Sequence, residues 1–373
     1  MRMRTSIVLA AVLFTLPALT ASSSRPFAAS RFEVVPLVSD QPGVAPNTDP
    51  DLVNSWGLAP APGGLEWVSD NGTNKSTIYD RNTGAKQSLV INIPPGAPTG
   101  VVHVPLGTGF EITANGKSAP ATFLFDTESG FIQGWNFDIS PDNAVNAVDN
   151  DLGSVYKGLA LDATDKLLFA ADFVNNRVQV FDSRFKLIRS FTDPGLPARF
   201  APFDVAWING KLYVTFAERE KGGIDNVSGA GLGYVDVFDT KGSLLKHLVS
   251  QGALNAPWGM TIAPNGFGSF AGTLLVGNFG DGRIHAFDAT TGEFIGTLRD
   301  NSGTPLHIDG LWALEAGPKS NVSFTAGPAD ESHGLLGLIA PIGPAVAARL
   351  APNGRSRQRR IRPRSGLRRK RLA

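Results

Sequence analysis

Residues 156–192 read YKGLALDATDKLLFAADFVNNRVQVFDSRFKLIRSFT. Four short runs of apolar and β-branched residues are separated here by turn chemistry. The first run, 158–161, is ended by Asp162-Ala163-Thr164-Asp165. The second, 166–171, is too short for a helix and long enough for a buried strand. Asn175-Asn176 turns the chain again, 177–181 follows, and 187–191 closes the unit. Four strands of this length cannot bury both faces of their sheet alone, so the unit requires copies stacked on either side.

Those copies are in the sequence. One uses 54–59, 67–72 and 77–80; another uses 202–206, 211–216 and 234–239; a third uses 257–261, 274–280 and 283–288. In four copies an aromatic residue followed by Asp ends the third strand, at Asp80, Asp182, Asp239 and Asp288. Such regularity marks these acids as turn formers. Two weaker copies use 99–102, 122–125 and 131–135, and 309–314, 323–326 and 335–339. With Gly57, Gly100, Gly158, Asp204, Gly259 and Gly310 as markers, the spacings are 43, 58, 46, 55 and 51 residues. This period predicts an all-β, six-bladed β-propeller with four-stranded antiparallel blades. Residues 32–38 alternate, and are expected to form the outermost strand of the last blade, closing the ring and removing an exposed edge. Residues 107–117 suggest a hairpin insertion in blade two, 138–150 read as a polar loop, and 218–233 as a Gly-rich insertion in blade four.

The composition agrees: 42 Gly and 26 Pro among 373 residues suit many tight turns and few helices. The chain has no cysteine, which excludes disulfides, thiolate metal sites and a Cys nucleophile. It also lacks G-x-S-x-G, H-E-x-x-H, P-loop and EF-hand patterns. A basic start (Arg2, Arg4), an apolar run over 7–19 and small polar residues up to Ser24 read as a secretory signal peptide. The expected organisation is a signal peptide at 1–22, a linker at 23–31, the propeller at 32–340 and a basic tail at 341–373. The expected location is secreted, periplasmic or cell-envelope. Residues 353–373 hold ten Lys or Arg and no acid, so the formal charge of +1 hides a body of 24 basic against 33 acidic residues. The tail reads as a solvated extension first, and as a contact for polyanions second. No apolar run is long enough to span a membrane, and a monomer is expected.

In a propeller, the loops entering the innermost strands and those joining second to third strands emerge on one face, around the channel. On that face Asp70, Asp172, Glu218 and Asn278 are the candidate ligand-binding residues, for a small polar ligand or a protein partner. Recurrence of Asp70, Asp172 and Asn278 at one blade position fits turn capping better than ligand binding. Asn54, Asp204 and Asp309 are the candidate metal ligands, because carboxylate and amide oxygens suit a hard cation such as Ca2+ in the central channel. Asp204 stands where four other blades place Gly, and Asp309 directly precedes Gly310. His307, two residues earlier, is the candidate base, or a hydrogen-bonded core histidine. Trp56, Trp258 and Trp312 follow one blade position and read as packing. Two functions fit: an exported binding or scaffold protein, or a metal-dependent hydrolase or lactonase with its cation in the channel.

The segments 37–40, 54–58, 172–181, 229–238, 257–260 and 308–312 carry a resemblance to a family of uncharacterised secreted bacterial proteins. These are built as NHL-like six-bladed propellers, and the resemblance covers roughly residues 32–340. It implies the fold and an exported location, and no activity. Some members end in a PEP-CTERM sorting signal: a Pro-Glu-Pro motif, a membrane span and a basic cluster. This chain has the basic cluster but neither the motif nor the span.

Overall fold

Every blade starts with a strand along the central channel and steps outward through three antiparallel partners. A computed structural model describes residues 30–149, 153–164 and 166–343. The signal peptide at 1–22, nearly all of the linker and the Arg-rich segment 353–373 lie outside the described residues. Blade one uses Ser55–Ala61, Leu65–Asp70, Lys75–Asp80 and Ile91–Asn92. Blade two uses Pro98–His103, Phe123–Thr127, Ile132–Trp135 and Val145–Val148. Blade three is Tyr156–Asp162, Leu167–Asp172, Arg177–Asp182 and Leu187–Phe191. Blade four is Phe200–Ile208, Lys211–Arg219, Tyr234–Phe238 and Leu244–Ser250. Blade five is Pro257–Ile262, Leu274–Asn278, Ile284–Phe287 and Phe294–Thr297. Blade six takes Leu311–Ala316, Val322–Ala326 and Leu335–Ile342 from the end of the chain and Arg31–Ser39 from its beginning.

That N-terminal strand pairs antiparallel with Leu335–Ile342, with Val34 opposite Ile339, and so closes the ring. Its Phe32 is fully buried and packs on Phe267 and Phe270 of blade five, at 4.7 and 5.8 Å between ring centroids. Apolar side chains fill each seam between neighbouring blades. Phe169, Val214, Phe216 and Phe238, for example, lie between blades three and four. The stacking requirement is met in this way: each sheet buries its faces against the next sheet.

The recurring acids behave as expected of turn formers. Asp80 accepts N–H groups from Asn82 and Thr83, Asp182 from Arg184 and Lys186, Asp239 from Lys241 and Ser243, and Asp288 from Thr290 and Thr291. The Thr83 hydroxyl and the Asn82 amide hold the Asp80 carboxyl below the usual carboxylate range. The Thr291 and Thr290 amides do the same for Asp288.

Two expectations are corrected. The segment 138–150 is not only a loop, because Val145–Val148 pairs with Ile132–Trp135 as the outer strand of blade two. The marker of blade six is Ala313, not Gly310. Leu314 pairs with Phe324 and Leu311 with Ala326, so the extra residue of the inner strand is Trp312, followed by Ala313. Gly310 lies before that strand with φ of +63°. The inserted hairpin of blade two is present as Glu111–Ala114 paired with Lys117–Pro120. Among the described residues there is no α-helix, and no helix is long and apolar enough to cross a membrane.

Candidate functional site

All six inner strands carry a register shift at one place, an extra residue that bulges toward the channel. In chain order the residues there are Trp56, Thr99, Lys157, Phe203, Trp258 and Trp312. The residues that follow are Gly57, Gly100, Gly158, Asp204, Gly259 and Ala313. The glycines have a steric cause. A Cβ on Gly57 would lie 2.3 Å from the Thr99 carbonyl oxygen, and one on Gly259 would lie 2.4 Å from that of Trp312. Adjacent inner strands therefore approach too closely for a side chain at these points.

The bulge residues plug the channel. Trp56 stacks on Trp312 at 3.6 Å, and Trp258 meets both edge-on at 6.1 and 5.7 Å. Phe203 meets Trp312 at 6.0 Å. Trp258 Nε1 donates to the Lys157 carbonyl at 2.9 Å, and Trp312 Nε1 to Asn54 Oδ1 at 3.0 Å. The expected packing role of the three tryptophans is what they perform.

Lys157 is the exception in this ring. Its ammonium stands 5.1 Å from the Trp56 ring centroid, close enough for a cation–π contact, and its side chain is only 2% exposed. It is paired with Glu128 and lies 3.5 Å from Asp225, on the blade-four insertion. From Glu128 a chain of hydrogen bonds crosses the mouth. Asn71 Nδ2 donates to Glu128 Oε2 at 2.9 Å. Asn54 Nδ2 donates to Asn71 Oδ1 at 3.2 Å and to Glu331 Oε2 at 2.6 Å. Three successive left-handed residues, Ala329, Asp330 and Glu331, aim Glu331 at Asn54. Non-glycine backbone of this kind is strained and concentrates at functional loops. Burial pushes the Glu331 carboxyl above its usual range, against the Asn54 hydrogen bond. Glu128, Lys157, Asp225 and Glu331 were not among the sequence candidates. Lys157 was detectable, since it stands before the marker Gly where other blades place Trp, Phe or Thr.

Beyond the plug the channel widens into a cavity of about 580 Å³, lined by residues that include Gly57, Leu58, His103, Asp204, Met260 and Glu315. Asp204 is buried, with its carboxylate over Gly158, where a Cβ would lie 2.2 Å from Oδ1. Burial raises its carboxyl well above the usual range, and nearby Asp126 adds to the rise. Asp126 is itself pushed up to about 7 by burial, against hydrogen bonds from the Thr99 hydroxyl and the Gly100 N–H.

The three metal candidates thus have separate surroundings. Asn54 belongs to the mouth network and Asp204 to the cavity. Asp309 is exposed and accepts the Ala329 N–H at 2.9 Å, which buttresses the left-handed loop carrying Glu331. Among the described residues no hydrogen bond joins these three. His307 is exposed, two residues from Asp309. Of the ligand-face candidates, Asp70 accepts from the Thr77 hydroxyl at 2.7 Å. Asp172 accepts from Ser154, Asn175 and Arg177. Asn278 donates to the Ala253 carbonyl and to Asp281, and Glu218 pairs with Arg199 at 3.0 Å. The oxygens beside the Lys157 ammonium come from Glu128 and Asp225, and Asn71, Asn54 and Glu331 continue the network from Glu128. A hard cation placed there would have to displace that ammonium.

No family model matches the chain. Uncharacterized protein R648 of Acanthamoeba polyphaga mimivirus is 33% identical over 320 residues, 81% of this chain and 78% of that protein. The chain belongs to its family. Uncharacterized protein L690 of the same virus is 32% identical over 330 residues, 84% of this chain and 86% of that one. Among solved structures, the streptogramin B lyase structure aligns with a TM-score of 0.49 at 11% identity, over 84% of this chain and 98% of that one. The nidogen/laminin complex gives 0.46 at 15% identity, over 69% and 84%. At these values neither likeness says anything about activity.

Proposed function

We propose that the chain is an exported, non-catalytic binding propeller whose channel mouth takes a positively charged group, an alkylammonium or guanidinium of a small ligand or of a partner protein. The observation that carries this is the charge balance around Lys157. One ammonium is paired with Glu128 and lies 3.5 Å from Asp225, while Glu331 joins the same network through Asn54, and Asp225 is open to solvent with 65% of its side chain exposed. A mouth with surplus acid and amide acceptors recognises donors. Export is supported by the basic start and the apolar run at 7–19, which predict a first residue near 22 that N-terminal sequencing would read directly.

The test is isothermal titration of the chain with spermidine and with a Lys- and Arg-containing peptide, beside their acetylated or uncharged counterparts. The charged probes should bind, and Asp225→Asn with Glu331→Gln should weaken them at least tenfold. Equal binding by wild type and variant would refute the reading. The metal-dependent hydrolase or lactonase reading stands second, because a cation at the mouth competes with Lys157. A calcium-induced rise in melting temperature that Asp204→Asn or Asp309→Asn removes would reverse this order.

A further inference from the structure

At the seam of blades three and four, on the outer strands away from the channel, Asp193, Asp236 and His247 each offer one ligand atom, all within 4.8 Å of one another. Asp193 follows the outer strand of blade three, Leu187–Phe191. Asp236 and His247 face each other across the third and fourth strands of blade four. Both acids are buried, and the His247 side chain is 49% exposed.

The geometry suits a cation. His247 Nδ1 lies 3.0 Å from Asp193 Oδ2 and 3.2 Å from Asp236 Oδ1. Ligand atoms around an ion with bonds of roughly 2.0–2.1 Å stand about 2.9–3.4 Å apart in octahedral or tetrahedral arrangements. Asp193 Oδ1 accepts the Gly195 N–H at 2.8 Å, a turn that fixes the carboxylate and leaves Oδ2 for the site. Asp236 Oδ2 is fully buried and, among the described residues, has no hydrogen-bond partner. No Lys or Arg among the described residues pairs with either acid. Burial pushes the Asp236 carboxyl up to about 8, and the Asp193 carboxyl beside it adds to the rise. Two buried carboxylates side by side, with Oδ2 of each lacking a hydrogen-bond partner among the described residues, suit a shared cation. The half-exposed imidazole gives that cation a path in and leaves a position for water.

We propose that Asp193, Asp236 and His247 bind a divalent first-row cation of the zinc type, which staples the end of blade three to the outer strands of blade four. One imidazole nitrogen with carboxylate oxygens and an open position is a donor set such ions accept.

The full chain, stripped with chelator and desalted, is titrated with zinc chloride at pH 7. One equivalent should bind, and the melting temperature should rise. Cobalt(II) should give a visible ligand-field band. His247→Gln, at a half-exposed position, keeps the fold and should weaken zinc at least tenfold and abolish the band. If zinc binds wild type and His247→Gln equally, or does not bind the wild type, the idea fails.

Discussion

Replacing Lys157 by Met removes the ammonium that stands over Trp56 and keeps an unbranched apolar stem. Breaking a buried ion pair by removing one partner costs about 3–5 kcal/mol, because the remaining charge stays uncompensated. The structure favours the lower end. Glu128 is 19% exposed and retains the Asn71 hydrogen bond, and Asp225 is 65% exposed and hydrates freely. With an unfolding entropy of about 2.1 cal/mol/K per residue over roughly 310 residues, about 3 kcal/mol lowers the melting temperature by about 4–5 °C. Adding Glu128→Gln removes the orphaned charge, and the double variant should return to within about 1 kcal/mol of wild type. Differential scanning calorimetry reads both values and, from the ratio of calorimetric to van't Hoff enthalpy, whether the melt is two-state. A single variant that melts within 1 °C of wild type, or a double variant less stable than the single, would refute the reasoning.

Gly57→Ala drives a methyl group to 2.3 Å from the Thr99 carbonyl oxygen, a backbone atom that cannot swing aside, and should destabilise by about 1–3 kcal/mol in chemical denaturation; a midpoint equal to wild type would show that the inner strands spread freely. Asp126 holds its proton up to about pH 7 in the fold and only to about 3.8 when unfolded, so its stabilising share is full below the lower value and is lost as pH rises toward the higher. Melting temperature should therefore fall between pH 4 and pH 7, and Asp126→Asn should flatten part of that fall; an unchanged slope argues against a buried neutral acid. Truncation after Pro352 should leave the melting temperature unchanged and abolish salt-sensitive binding to heparin, measured by elution from a column; retained binding would place the polyanion contact on the ring.

The blade count, the ring closure by residues 31–39 and the turn acids were legible because each repeats or pairs by simple periodicity. Blade six was misregistered because its tight position carries Ala313, while Gly310, three residues earlier, serves a left-handed turn instead. The outer strand Val145–Val148 was missed because VNAV is short, half-exposed and without an aromatic residue. The mouth was harder to read. Asn54 and Asn71 fall on the expected face, yet Glu331 reaches Asn54 only through three left-handed residues, and no spacing rule announces such a turn. Lys157 stands out in the sequence as an odd residue before a marker Gly, but its burial depends on acids that other blades bring to it.

The ring's closure also sets a timetable. Val34 and its partner Ile339 are separated by almost the whole domain, so the first strand to be synthesised is the last to find its place. At about 5–20 residues per second, the ribosome needs roughly 15–60 s to supply the missing partner. During that interval RFEVVPLVS is an unpaired β-prone segment, the kind that recruits other chains. Its sequence contains the safeguards. Arg31 and Glu33 put charge on it, and Pro36, at the point where the register shifts, cannot donate to a ladder. A chain whose ring shuts only after its last blade exists can also be kept open until then. The export proposed above would use this delay: a chain still open could pass a narrow pore unfolded and fasten blade six on the far side.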